Sequence, residues 1–155
     1  HAIKIAEEEG IKFDLNLLNT NSHFDCILFR GTIQHIDTPF YYMKKAYDAL
    51  KPGGWIVFLA SPNADSLYYR LFKTLPFIDN TPNFYISSEK SLCNSLKHYG
   101  FDIREKSFPY LGTPYAKPIR DHIQFTLKIF GFSFKPAFWK NSIEVYAQKP
   151  LEIIR

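Results

Sequence analysis

An α/β fold is predicted by three features of the chain: two strongly apolar runs at residues 24–29 and 55–60, a helical pattern between them, and a Pro-Gly-Gly turn before the second run. Strand, helix and strand with short connections describe a right-handed crossover, which lays the two strands side by side and parallel. A chain of 155 residues suffices for one ordinary domain with its own core and is short for two.

The elements follow in order. Ala2, Ile5 and Ala6 share one side of an opening helix, and Gly10 is a natural residue to end it. Ile11, Phe13 and Leu15 alternate with Lys12 and Asp14, which predicts a short strand before a polar loop over 16–23. Residues 24–29 are apolar at almost every position, the pattern of a strand covered on both faces in a parallel sheet, and Gly31 ends it. Thr38 is placed to cap the next helix with Pro39 in its first turn, and Met43, Tyr47 and Leu50 recur on one face. Lys51-Pro52-Gly53-Gly54 reads as a turn, followed by a strand over 55–60.

Leu67 and Leu71 give residues 64–72 a helical spacing, and the prolines of 75–86 predict a loop. Ser88 then caps a helix with Leu92, Leu96 and Tyr99 inward and Gly100 as its stop. Strands are expected at Phe101, Ile103 and Glu105 and again at Ile143, Val145 and Ala147. The intervening 109–142 is longer than a hairpin needs. It carries its own helical pattern, with Ile119, Ile123, Thr126, Leu127 and Phe130 on one side and Arg120, Gln124 and Lys128 away from it. Packing on the sheet, a lid over a site, and a dimer or membrane contact are the three roles open to that helix.

Nineteen basic residues against fifteen acidic ones leave a net charge of +4. The basic residues are spread singly along the chain, so no nucleic-acid partner is expected. Cys26 and Cys93 fall at positions expected to be buried, and neither has neighbours spaced for a metal site. Two isolated cysteines suit a reducing, cytoplasmic setting. No apolar run approaches the roughly 20 residues of a membrane span, and no signal-peptide core opens the chain. Beginning at His1 within a helical pattern, the chain reads as a fragment or a processed product.

Residues 24–36, Phe-Asp-Cys-Ile-Leu-Phe-Arg-Gly-Thr-Ile-Gln-His-Ile, resemble the fourth strand and following loop of class I S-adenosylmethionine-dependent methyltransferases. Lys51-Pro52-Gly53-Gly54 is similar to that family's turn before strand five, and Ser61-Pro62-Asn63 to its strand-five exit. Residues 84–92 with Tyr99-Gly100-Phe101 resemble the helix and turn leading into strand six. The resemblance implies a partial Rossmann-like methyltransferase fold, a mostly parallel sheet with an antiparallel terminal strand. The family order is three-two-one-four-five-seven-six. It also implies S-adenosylmethionine as cofactor and methyl transfer to a small-molecule acceptor by the intact parent protein. A catalytically inert binding module of the same fold is the alternative.

The glycine-rich turn and the acidic residue that hold the cofactor in this family have no counterpart in these residues, so this stretch alone is expected to bind it weakly or not at all. An upstream segment or a second copy of the chain would then cover the strand at 24–29, an apolar edge. By resemblance, Arg30, Gly31, Thr32 and Gln34 are the candidate cofactor-binding residues. Gln34 stands where the family commonly has Glu, which weakens the case for a carboxylate base. His35 is the candidate catalytic residue, with base, substrate-positioning and structural roles all open. Asn63, Tyr68 and Tyr85 are candidates for the acceptor side, Asn63 having an Asx turn as its competing role. Asn16 and Asn19 lie where the family places polar residues near adenine. No metal is implied.

Overall fold

A computed structural model describes residues 19–76, 78 and 83–151. The helix and strand predicted over residues 1–15, together with Asn16, lie outside the described residues. The elements are β1 (Phe24–Arg30), α1 (Pro39–Ala49), β2 (Leu50–Pro62), α2 (Leu67–Phe72), α3 (Glu89–His98), β3 (Asp102–Ser107), α4 (Pro118–Ile129) and β4 (Ser142–Gln148), with a 3-10 turn at Ile33–His35.

The four strands are ordered β1-β2-β4-β3. Only β1 and β2 pair in parallel; β4 runs antiparallel to both β2 and β3. The expectation of a mostly parallel sheet is therefore corrected: by its pairings the described sheet is mostly antiparallel. The described order is the four-five-seven-six part of the order the resemblance implied, and with β4 between β2 and β3 it holds two antiparallel pairings against one parallel pairing. The fold remains α/β and Rossmann-like in general terms.

One face of this sheet carries the main core. Phe29, Ile56, Phe58, Ile143, Val145 and Ala147 are buried against Met43 and Ala46 of α1 and Leu92 and Leu96 of α3. Strict alternation along β4, with 143, 145 and 147 buried, is what a strand lined by helices on one side requires. Phe29 and Phe58 sit opposite each other in the parallel register and stack with their ring centres 5.0 Å apart. On the other face Cys26, Leu28 and Trp55 are exposed, so residues 24–29 are not covered on both sides as their composition suggested.

The helix ends match their local chemistry. Pro39 opens α1, although Thr38 bonds Asp37 instead of capping the backbone. Ser66 accepts from the Tyr69 amide to start α2, and Ser88 and Ser91 form a reciprocal capping box at the start of α3. Gly100 takes φ +92° where the chain leaves α3, under the Tyr47 ring.

Lys51-Pro52-Gly53-Gly54 is not a free turn. β2 begins at Leu50, which pairs with Phe24, and the register then jumps to Cys26 against Trp55. Three extra residues of β2 are accommodated as a bulge. Lys149 locks it, its carbonyl accepting from the Gly53 amide at 3.0 Å and its amide donating to the Gly54 carbonyl at 2.8 Å.

A smaller core lies between α2 and α4, built from Tyr68, Leu75, Ile78 and Phe125, with Phe138 stacked on Phe125 at 4.0 Å. Beside it Asp121 is fully buried and accepts from the Tyr110 hydroxyl at 3.1 Å and the Lys117 amide at 2.8 Å. Burial, and then the hydrogen bond to Asp121, raise the pKa of the Tyr110 phenol.

A Cβ at position 54 would stand 2.9 Å from the Lys51 carbonyl oxygen and 3.2 Å from that of Phe24, backbone atoms fixed by the β1–β2 pairing. Gly54→Ala is accordingly expected to lower the stability of the fold by about 1–3 kcal/mol in urea denaturation. An unchanged midpoint would show that the bulge is not clamped as described.

Candidate functional site

The carboxyl ends of β1 and β2 lie side by side, the place where open α/β sheets bind ligands. Beyond Arg30 the Gly31 amide continues the pairing, donating to the Leu59 carbonyl at 2.9 Å. Gly31 then turns at φ +58°, and a Cβ there would meet no atom within 4 Å. The turn needs glycine for its backbone angle, while the space above it is open. Arg30 and Thr32 on either side are exposed.

The 3-10 turn closes this loop. The His35 amide donates to the Thr32 carbonyl at 2.9 Å, and the Gln34 side chain folds back to donate from Nε2 to the Gly31 carbonyl at 2.8 Å. That bond fixes the orientation of the amide, since its oxygen cannot face another carbonyl. Gln34 Oε1 is consequently a buried acceptor with no hydrogen-bond partner among the described residues. Gln34 Nε2 also lies 3.2 Å from His35 Nε2. An amide nitrogen only donates, so His35 Nε2 accepts here and the ring proton belongs on Nδ1. Gln34 is buried and His35 exposed, which makes the first the anchor of the loop and the second its solvent-facing member.

The loop before α3 docks on this turn through the backbone. The Gln34 carbonyl accepts from the amides of Phe84 at 2.8 Å and Tyr85 at 3.3 Å. Tyr85 packs edge-on against Phe40 at 5.3 Å and donates its hydroxyl to Ser91 Oγ at 2.9 Å. Phe40 was not among the sequence candidates; its signal was an aromatic residue in the first turn of α1, directly after Pro39.

Asn63 and Tyr68 stand elsewhere. Asn63 is buried, its Nδ2 donating to the Lys140 carbonyl at 2.9 Å and its Oδ1 accepting from the amides of Asp65 at 3.0 Å and Glu89 at 3.2 Å. The bond to Asp65 is the Asx turn; the other two join β2 to the start of α3 and to the residues before β4. Tyr68 is fully buried in the smaller core, with its hydroxyl 3.4 Å from the Phe134 carbonyl. The structure thus brings Arg30, Gly31, Thr32, Gln34, His35 and Tyr85 together and holds Asn63 and Tyr68 inside the fold. Asn19 lies in the loop before β1, within hydrogen-bonding reach of Lys45 at 3.3 Å.

A separate open cleft of about 720 Å³ is lined by Cys93, Lys97, Phe101, Ile103 and Lys106. Burial pushes the Cys93 thiol up, which disfavours the thiolate that a nucleophile needs. The strand-end loop is the better candidate because it joins an open backbone turn, an unpaired buried acceptor and an exposed imidazole.

This arrangement fits the class suggested by the sequence, and a methyltransferase-domain family model matches residues 2–106. The chain belongs to that family, with a fold of the class I S-adenosylmethionine-dependent methyltransferase type. Among solved structures it is similar to the [4+2]-cyclase SpnF at 14% identity, covering 96% of this chain and 61% of that one with a TM-score of 0.58. A SAM-dependent methyltransferase from Thermotoga maritima matches at 19% identity over 94% of this chain and 68% of that one, with a TM-score of 0.59. One from Archaeoglobus fulgidus matches at 17% identity over 95% and 80%, with a TM-score of 0.54. The chain spans about three fifths of the length of the cyclase. No curated protein matches.

Replacing Asn63 by Ala would strand the Lys140 carbonyl and two amides in the interior. The expected cost is about 2–4 kcal/mol in chemical denaturation. A loss below a few tenths of a kcal/mol would mean that this side chain does not join the three segments.

Proposed function

We propose that the intact protein transfers a methyl group from S-adenosylmethionine to a small-molecule acceptor, with the loop 30–35 as the described part of its site. The family membership carries this reading, and the open Gly31 turn at the strand end supports it. The residues present fit one side of the cofactor. Gly31 and Thr32 let a ligand approach the backbone, Arg30 offers a cation for a carboxylate, and Gln34 Oε1 is an acceptor awaiting a donor. When bound, the cofactor supplies a methyl group already activated by its sulfonium, which leaves the protein mainly the task of placing the acceptor.

His35 is the residue proposed to face the acceptor. Its Nε2 lone pair is held by Gln34, so taking a proton at that atom requires the imidazole to turn away from the amide. In that position it accepts the acceptor's proton or holds the acceptor in line. Tyr85, supported by Phe40 and Ser91, forms the adjacent wall and is proposed to contact the acceptor. Asn63 contributes by holding the start of α3 beside that wall, and Tyr68 by packing the smaller core. A fold of this type hosts more than one chemistry, as the likeness to a [4+2]-cyclase illustrates, so binding and turnover are separate questions.

The test is calorimetry on the natural full-length protein with S-adenosylmethionine and S-adenosylhomocysteine, followed by turnover assays over acceptor classes. Saturable binding with methyl transfer is expected, and His35→Ala should lower kcat about 100-fold while leaving S-adenosylhomocysteine affinity unchanged. Absence of binding to either compound contradicts the reading; tight binding without turnover on any acceptor favours the inert module.

A further inference from the structure

We propose that the segment 109–142 is a docking surface for an anionic lipid bilayer. Four observations converge on it. The first is where the segment sits. β3 ends at Ser107 and β4 begins at Ser142, paired with Glu144 and Pro62 respectively, so the connection leaves and rejoins the sheet at the carboxyl end of β1 and β2. That is the end carrying the loop 30–35.

The second observation is how α4 is turned. Asp121 and Phe125 are its buried residues, one turn apart on the side that meets Tyr110 and the smaller core. Ile119, Ile123 and Phe130 lie on the opposite side and are 82%, 55% and 76% exposed. The helix presents an apolar stripe to solvent, followed by the exposed Phe132 just past its end, in addition to the apolar residue it buries. An amphipathic helix with aliphatic and aromatic anchors outward and basic residues beside them is the form that lies in a bilayer interface.

Charge supplies the third. Residues 109–142 contain Lys117, Arg120, Lys128, Lys135 and Lys140 and a single acidic residue, Asp121, so the segment holds the entire excess of +4 and the remainder of the chain is balanced. That one carboxylate is fully buried, bonded to Tyr110 and to the Lys117 amide and 3.5 Å from the Arg120 guanidinium, while Lys128 lies over the Tyr68 and Phe72 rings on the buried side of α4, so Lys117 and Arg120 are the helix's cations nearest the exposed stripe. The basic residues were scattered along the sequence as a whole, yet relative to acidic neighbours they are concentrated in this connection. An anionic surface is its electrostatic complement.

The fourth is local shape. A shallow hollow of about 620 Å³ between α4 and Phe134 is lined almost wholly by apolar surface, Ile119, Ile123 and Phe134 together with the hydrocarbon stems of Lys117 and Arg120. This suits an acyl chain below an anionic headgroup. Among the described residues no helix is long and apolar enough to cross a membrane, so the contact is peripheral. The surface stands independently of methyl transfer, although its position would bring a site at the loop 30–35 close to acceptors dissolved in the bilayer.

The experiment is co-sedimentation of the natural full-length protein with vesicles of phosphatidylcholine alone or with one third phosphatidylglycerol. Binding is expected to the anionic vesicles, weakening as salt is raised. The double variant Ile119→Glu/Ile123→Glu should reduce it roughly tenfold or more, with an unchanged thermal midpoint because both side chains face solvent. Should that variant be destabilised, Lys117→Gln, which leaves the Arg120–Asp121 pair intact, provides the second reading and is expected to weaken anionic binding alone. No vesicle binding, or equal binding to neutral and anionic vesicles, overturns the proposal. A dimer in analytical ultracentrifugation that the Ile119/Ile123 variant dissociates, without vesicle binding, overturns it in favour of a second copy.

Discussion

The exit of β2 is the point on which the described structure depends. Asn63 sits there with its amide and carbonyl groups both engaged, tying together three segments that the sheet alone would leave separate: its own turn, the start of α3 and the approach to β4. Ser87 reinforces the same junction, donating to the Pro62 carbonyl at 2.9 Å, and the Ala64 amide donates to the Ser87 carbonyl. Buried polar groups must find partners, and a short side chain carrying both a donor and acceptors is suited to meet several backbone groups at once. From this junction the loop at 83–88 runs to the Gln34 carbonyl, so the strand-end turn after β1 is positioned by the exit of β2.

Much of this was legible in residues with local meaning. Pro39 and Ser88 mark helix starts, Gly100 marks a stop, and the alternation Ile143, Val145, Ala147 gives a strand with one covered face. These signals work because the constraint is within a few residues: a missing amide hydrogen, a side-chain cap, a positive φ. The position of the loop 30–35 beyond a strand end was readable for a different reason. A strand rich in apolar residues ending in glycine has only one place to put the following polar residues, at the ligand-binding edge of the sheet.

What escaped the sequence were properties set by distant partners. Pro52, Gly53 and Gly54 carry every mark of a free turn, and only the pairing with Lys149 and Phe24 makes them a bulge inside a strand. Asp121 is the sharpest case. The sequence puts Ile119, Ile123 and Phe130 on one side of a helix without showing which side is covered; Tyr110 and the Lys117 amide hold Asp121 in the interior and leave those three outward. Asn63 was read for the acceptor side or for an Asx turn; the turn to Asp65 is present, and the bonds to Lys140 and Glu89, many residues away, were invisible to a local reading.

The turn from Arg30 to His35 is the proposed cofactor-binding loop. Backbone and side-chain amide resonances of the natural full-length protein, followed by NMR during titration with S-adenosylhomocysteine, test that location directly. The largest shifts are expected at the amides of Gly31 and Thr32 and at the side-chain amide of Gln34, whose oxygen gains a partner. Saturable binding that leaves residues 30–35 unmoved, or that centres its shifts on the cleft of Cys93, Lys97 and Lys106, would contradict it.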